Sequence, residues 1–307
     1  MDKLDGQMLE PREVPLGGPR AMLVRRTLPS RARSTVGAWC FADSYGPDDI
    51  TGRVGMAVPP HPHIGLQTVT WLLDGEVRHR DGLGNDQLIR PGQLNLMTAG
   101  RGIAHAEHSP SGHSARLHGV QLWIALPDAA RDIQPRFEHH ATLPGDESIT
   151  VLIGQLAGGV SPARTHSPLL GAEIMVSAGK PVRIPLEPEF EHAVLAAAQP
   201  VCVDGAPVPV GALRCLPPGR RELVIDAEST TRALLIGGQP FTEPVLMWWN
   251  FVARDHSEIV AARKDWEAAR AEGPSARFAA VAAEAGAALP APALPTVRLR
   301  PRPAPRS

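Results

Sequence analysis

The chain is poor in cysteine. Its three cysteines, Cys40, Cys202 and Cys215, stand far apart and in no metal-ligand spacing. That argues against a disulfide framework and fits a reducing compartment. It also lacks an excess of charge: 31 Lys and Arg stand against 32 Asp and Glu, a formal net charge of −1. So there is no electrostatic case for nucleic acid or an anionic membrane as the main partner. No run approaches the ~18 apolar residues of a membrane span, and the first residues lack the apolar stretch of a secretory leader. The expectation is a cytoplasmic protein. Neither a GxSxG elbow nor a Walker-type phosphate loop is present, so these routes to acyl transfer and nucleotide chemistry have no motif to rest on.

Turn formers, by contrast, are abundant. Glycine (29) and proline (32) are spread along the chain, and hydrophobic residues make up 43%. Short β-rich runs such as "LQTVTWLL", "QLNLMT", "GVQLWIAL" and "ITVLIGQL" alternate with turns such as "DGLGND" and "TAGRG". Short strands with frequent turns predict an all-β sandwich or barrel. The texture repeats, so we expect two β-modules, 1–128 and 129–255. The chain from 256 changes to Ala, Glu, Arg and Lys, good helix formers. A helical segment is expected over 256–284, with Ile259, Val260, Ala262 and Trp266 sharing an apolar face and Ser257 as its cap. The Pro/Arg-rich end, 285–307, reads as an unstructured tail.

The chemistry concentrates in the first module. Residues i and i+2 of a strand face the same way. His61 and His63 have that spacing, and so do His105 and Glu107. Two such strands would offer three imidazoles and one carboxylate to a barrel interior. That donor set suits a divalent first-row ion (Fe, Mn, Co, Ni, Cu or Zn) better than Mg or Ca.

The segments "PPHPHIGLQTVTWLLDGEVRHRDGLGN", "IRPGQLNLMTAGRGIAHAEHSP" and "GVQLWIALP" closely resemble the pirin family of the cupin superfamily. The likeness is strongest over 36–127 and continues more loosely to about 251. It implies two stacked jelly-roll barrels and one metal, usually Fe(II), on His61, His63, His105 and Glu107. It also implies one of two roles. The first is a dioxygenase resembling quercetin 2,3-dioxygenase, with a flavonol-like substrate and dioxygen; for that role our own expectation is that Glu107 shifts in the metal's shell and takes the substrate's proton. The second is a non-catalytic, metal- or redox-tuned regulator that binds a protein partner. Gln67 departs from the family, which commonly has glutamate there. Counted along a regular strand from His63 it faces the metal, where an amide can orient water or substrate but cannot act as a base.

The remaining candidates read more plainly. The second module has no HxH pair and is expected to be metal-free. His79 stands among charges and is expected at the surface. His118 can be a core residue or a neighbour of the site. His108 should point away from the metal. Cys40 reads as a small buried hydrophobe. Trp71, Trp123, Trp248 and Trp249 read as core aromatics rather than substrate platforms.

Overall fold

The computed structural model describes residues 6–16, 22–282 and 286–302. The described chain is mostly antiparallel strand, with one α-helix, His256–Glu272. The first module pairs a seven-stranded sheet with a four-stranded one. The larger runs in the order Arg136–His140, Leu94–Thr98, Leu66–Asp74, Arg116–Ala125, Trp39–Asp49, Leu23–Leu28 and Arg12–Pro15. The smaller runs Ala57–His63, Ile103–His108, Val77–Asp81 and Asp86–Ile89. The second module repeats the plan. Its six-stranded sheet includes Leu169–Val176, Glu191–Ala196 and Thr231–Gly238, and its four-stranded sheet includes Val182–Pro185 and Glu222–Asp226. These are two cupin-type barrels of the all-β class.

One apolar core joins the two barrels. Trp39, Leu66, Leu94 and Ile124 of the first pack with Ile153, Leu195, Leu213 and Ile236 of the second. Trp39 is fully buried, and its indole Nε1 donates to the carbonyls of Leu170 and Gly237, each at 3.1 Å. Trp71 Nε1 donates to Glu173 Oε2 at 2.9 Å across the same interface. His118 belongs here as well: its Nε2 lies 3.0 Å from the Ala197 carbonyl, which makes it a core residue between the barrels. Cys40 is buried as expected, and burial pushes its thiol up to about 12.

Two strands cross the expected boundary at 128/129. Gln7–Leu9 pairs with Leu213–Leu216 of the second module. Arg136–His140, past that boundary, pairs with Leu94–Thr98 of the first. The latter is a half-buried edge strand carrying Arg136, Glu138 and two histidines. Charged side chains are a common feature of edge strands, and they hide the strand in the sequence.

The helix differs from expectation in detail. Asp255, not Ser257, is its cap: in an extended conformation it accepts from the backbone N–H groups of Ser257 and Glu258. A carboxylate there also complements the helix dipole. Ile259, Ala262 and Trp266 are buried, but Val260 is exposed, because the 259/262/266 spacing alone tracks one stripe.

The segment after the helix is the larger correction. Residues 286–302 lie along the body rather than forming an unstructured end; 285 and 303–307 fall outside the described residues. Leu289 N donates to Pro60 O at 2.8 Å, and Trp266 Nε1 donates to Leu289 O at 2.8 Å. Ala291 N donates to Glu267 Oε1 and Arg263 Nε to Pro292 O. A proline-rich strap has few N–H groups to satisfy and less chain entropy to lose, so a handful of side-chain bonds can hold it.

Trp39→Ala is expected to cost about 3–5 kcal/mol of stability, read as a lowered midpoint in urea unfolding. A loss below about 1 kcal/mol would show that the barrels do not depend on this contact.

Candidate metal centre

The strand Ala57–His63 runs antiparallel to Ile103–His108, with His61 opposite His105 and Ile103 opposite His63. This register and the two-residue side-chain period put three imidazoles together. Ring centroids of His61 and His105 lie 4.3 Å apart, and those of His63 lie 5.0 Å from each. One nitrogen from each ring falls within 4.8 Å of the others. His63 Nε2 and His105 Nε2 approach to 3.1 Å.

The hydrogen bonds behind these rings decide what they offer. His61 Nδ1 lies 2.9 Å from the Pro59 carbonyl, and His63 Nδ1 lies 3.1 Å from the Asn250 carbonyl. A carbonyl oxygen only accepts, so each Nδ1 carries the proton and each neutral ring leaves its Nε2 lone pair bare. Burial keeps the rings neutral. It lowers His61 to about 4, and it holds His63 and His105 well below the usual histidine range, helped by the neighbouring imidazoles. The donor set therefore fits a divalent transition-metal ion, the preference expected of imidazole nitrogen.

Glu107 is buried, and burial raises its carboxyl pKa, offset in part by His79 and Thr70. Thr70 Oγ1 lies 3.1 Å from Glu107 Oε1 and 3.0 Å from Gln121 Oε1. The ladder shifts register between His105 and Glu107. The carboxylate consequently groups most closely with His79 and His105, while still lining the cavity of the three histidines.

That cavity measures about 430 Å³. Phe41 and Trp123 stack along one wall, with centroids 3.9 Å apart at 11°. Arg26 lies over Phe41 and is held in a two-point pair with Asp43. Trp249 and Asn250 close another side, and Leu289 and Pro290 of the strap complete the lining. Trp249 takes φ 52° in the turn between Leu246–Trp248 and Phe251–Ala253. Few non-glycine residues adopt that conformation, at a cost of about 1–3 kcal/mol. The same turn delivers the Asn250 carbonyl to His63. Trp123 is a buried core residue that also lines the cavity; Trp249 lines it too, and Trp71 does not. A wider recess of about 760 Å³ lies in the second module, but Glu187 is its one ionisable lining residue. Among the described residues, both groups of three metal-type donors lie in the first module.

The structure does not bring Gln67 to the cavity. Its amide Nε2 donates to Thr98 Oγ1 and Arg164 O, each at 2.9 Å. The strand of His63 ends there, the chain turns at Gly65 (φ +67°), and Gln67 falls on a strand of the other sheet. Counting by twos from His63 fails across that turn. Gly65 is constrained twice over, since a Cβ would lie 2.0 Å from the Val252 carbonyl oxygen.

His79 is the residue that the sequence reading misplaced. It is 2% exposed, with Nδ1 3.3 Å from His105 Nδ1 and Nε2 3.1 Å from Asp81 Oδ2. Its strand, "VRHRD", alternates buried and half-buried residues. The period-two pattern puts Val77, His79 and Asp81 inside and Arg78 and Arg80 outside, a signal that the two arginines mask.

Comparisons with known proteins extend the picture. The Pirin family model matches residues 21–124 and the model of the Pirin C-terminal cupin domain matches 171–272. A Pseudomonas aeruginosa protein named "Putative quercetin 2,3-dioxygenase" is 46% identical, over 94% of this chain and 90% of its own length. A "Pirin-like protein" of Caulobacter vibrioides is 36% identical, covering 82% and 90%. The crystal structure of a quercetin 2,3-dioxygenase from Acinetobacter baumannii superposes with a TM-score of 0.88 at 40% identity, covering 97% and 98%.

Below its usual pKa range, a buried histidine costs stability as pH falls. Between pH 6.5 and about 4 the unfolded chain protonates His61 while the folded one does not. Stability of the metal-free protein therefore rises with pH through that window. At about 1.4 kcal/mol per pKa unit, the His61 contribution is roughly 3 kcal/mol. Urea midpoints measured from pH 4 to 7 should fall less steeply toward acid in His61→Phe than in the wild type; parallel curves would contradict the assignment.

Proposed function

The chain belongs to the pirin family, and we propose that it is a metal-dependent dioxygenase of the quercetin 2,3-dioxygenase type, acting on a flavonol-like substrate. A single divalent transition metal, in first place Fe(II), would be held by His61, His63, His105 and Glu107. The observation that carries this reading is the convergence of neutral imidazoles, two with their tautomers set by carbonyls, at a cavity walled by stacked aromatics. The full-length likeness to proteins named for that activity supports it.

When bound, the metal would acidify a coordinated hydroxyl and provide a meeting point for dioxygen and substrate. The protein's own residues do the rest. The Phe41–Trp123 wall offers a flat apolar face to a planar polyphenol. Trp249, Leu289 and Pro290 limit the water that reaches the cavity, which strengthens electrostatic interactions inside it. Glu107 is the group in place to take the substrate's hydroxyl proton. Thr70 steadies one carboxylate oxygen while the other stays available. Gln67, hydrogen-bonded to Thr98 and Arg164, does not enter this scheme.

Protein purified without added metal and reconstituted with Fe(II) should hold close to one equivalent by mass spectrometry. It should bleach the visible absorbance of quercetin in air. His61→Ala should weaken metal binding by more than about 100-fold, beyond what loss of an outer partner typically costs. Glu107→Gln should retain more metal than His61→Ala yet lose turnover. Metal binding without turnover on any flavonol would favour the regulator role. Turnover that survives loss of the metal would place the activity elsewhere.

A further inference from the structure

His105 differs from the other two histidines in what stands behind it. His61 lies on the edge strand of the four-stranded sheet, where the Pro59 carbonyl is free to accept its Nδ1 proton. His63 borrows a carbonyl from the turn at Asn250. His105 sits on the inner strand, laddered on one side to Ala57–His63 and on the other to Val77–Asp81. Beside its Nδ1 stands a side chain rather than a carbonyl. That side chain is His79, 3.3 Å away, nitrogen to nitrogen.

We propose that His79, held by Asp81, is a positioning residue for His105: it accepts the Nδ1 proton of His105 and so keeps the Nε2 lone pair of that ring turned toward the metal position. The inference rests on the reading of His105 as a metal ligand and extends it to residues that no comparison assigns. A cation on Nε2 leaves Nδ1 as the one ring nitrogen of His105 that can carry a proton. His79 can accept that proton only if its own sits on Nε2. Asp81 secures this, since its carboxylate Oδ2 lies 3.1 Å from His79 Nε2 and an ionised carboxylate only accepts.

The rest of the surroundings hold the chain of bonds still. Asn85 Nδ2 donates to both Asp81 oxygens, at 2.9 and 3.0 Å, and the Leu83 and Asn85 backbone N–H groups donate to Oδ1. The ring of Phe137 stacks on His79 with centroids 4.4 Å apart at 12°. Both His79 and Asp81 are buried, at 2% and 3% exposure. An outer carboxylate or carbonyl that orients a ligand histidine is a general device of metal sites. Here an extra imidazole spans the gap between carboxylate and ligand.

The test compares wild type, His79→Phe and His79→Asn, using Zn(II) as a diamagnetic probe. Phenylalanine keeps the stack on Phe137 and removes the acceptor. Asparagine restores an acceptor oxygen near the Nδ1 position. Competition titration should show Zn(II) affinity about 10–100-fold weaker in His79→Phe, with most of the loss recovered in His79→Asn. Circular dichroism of the metal-free proteins should be unchanged. Nitrogen-15 NMR of the Zn(II)-loaded wild type should show His79 neutral, protonated on Nε2 and bare on Nδ1, with a slowly exchanging Nδ1 proton on His105. The proposal is overturned if His79→Phe binds Zn(II) as tightly as wild type, or if His79 is doubly protonated. It is equally overturned if a His79 nitrogen is itself bonded to zinc. A wild type that takes up neither Zn(II) nor Fe(II) overturns the metal reading along with it, whereas equal affinity in wild type and His79→Phe removes the relay alone.

Discussion

The register between Ala57–His63 and Ile103–His108 is the constraint on which the site depends. Side chains alternate along a strand, so a slip of one residue would turn His61 and His63 away from the cavity and put prolines in their place. Several independent features pin it. The inner strand is laddered on both sides. Gly65 lets the chain turn tightly beneath the Val252 carbonyl. Pro60 is tied to the strap by the Leu289 N–H. The proline pair before His61 also removes backbone donors and chain freedom from the edge. Neutral imidazoles can then be held close together in a dry interior, which charged ones could not be.

Parts of the chain far from that strand pair complete the cavity. The turn at Trp249 and Asn250, after the second barrel, supplies both a wall and the acceptor for His63. The strap residues Leu289 and Pro290, later still, reach the same opening. The second barrel thus contributes chiefly by packing: its large sheet shares a core with the large sheet of the first, while the cavity lies between the two sheets of the first barrel.

The cluster of His61, His63 and His105 follows from a short-range rule. His61 and His63 stand two residues apart on one strand, and the antiparallel pairing sets His105 opposite His61. The rule fails where the strand stops. Gln67 is misplaced by counting across the turn at Gly65. His79 was hidden by the arginines on either side, whose charges suggest a surface although the alternation of "VRHRD" puts it inside. The strap could not be read at all, because its order comes from side chains such as Trp266, Arg263 and Glu267 that bind backbone groups more than twenty residues away. Composition sees only its prolines. The helix cap moved from Ser257 to Asp255 for a local reason: either residue can cap, and the choice depends on where the extended chain ends.

The most direct test of the account is the position of the metal itself. A crystal of the Fe(II)-loaded protein, with diffraction recorded on either side of the iron absorption edge, should give one anomalous peak, within bonding distance of the Nε2 atoms of His61, His63 and His105. A peak bonded to His79, a peak in the second barrel, or none in protein that carries a full equivalent of iron would contradict it.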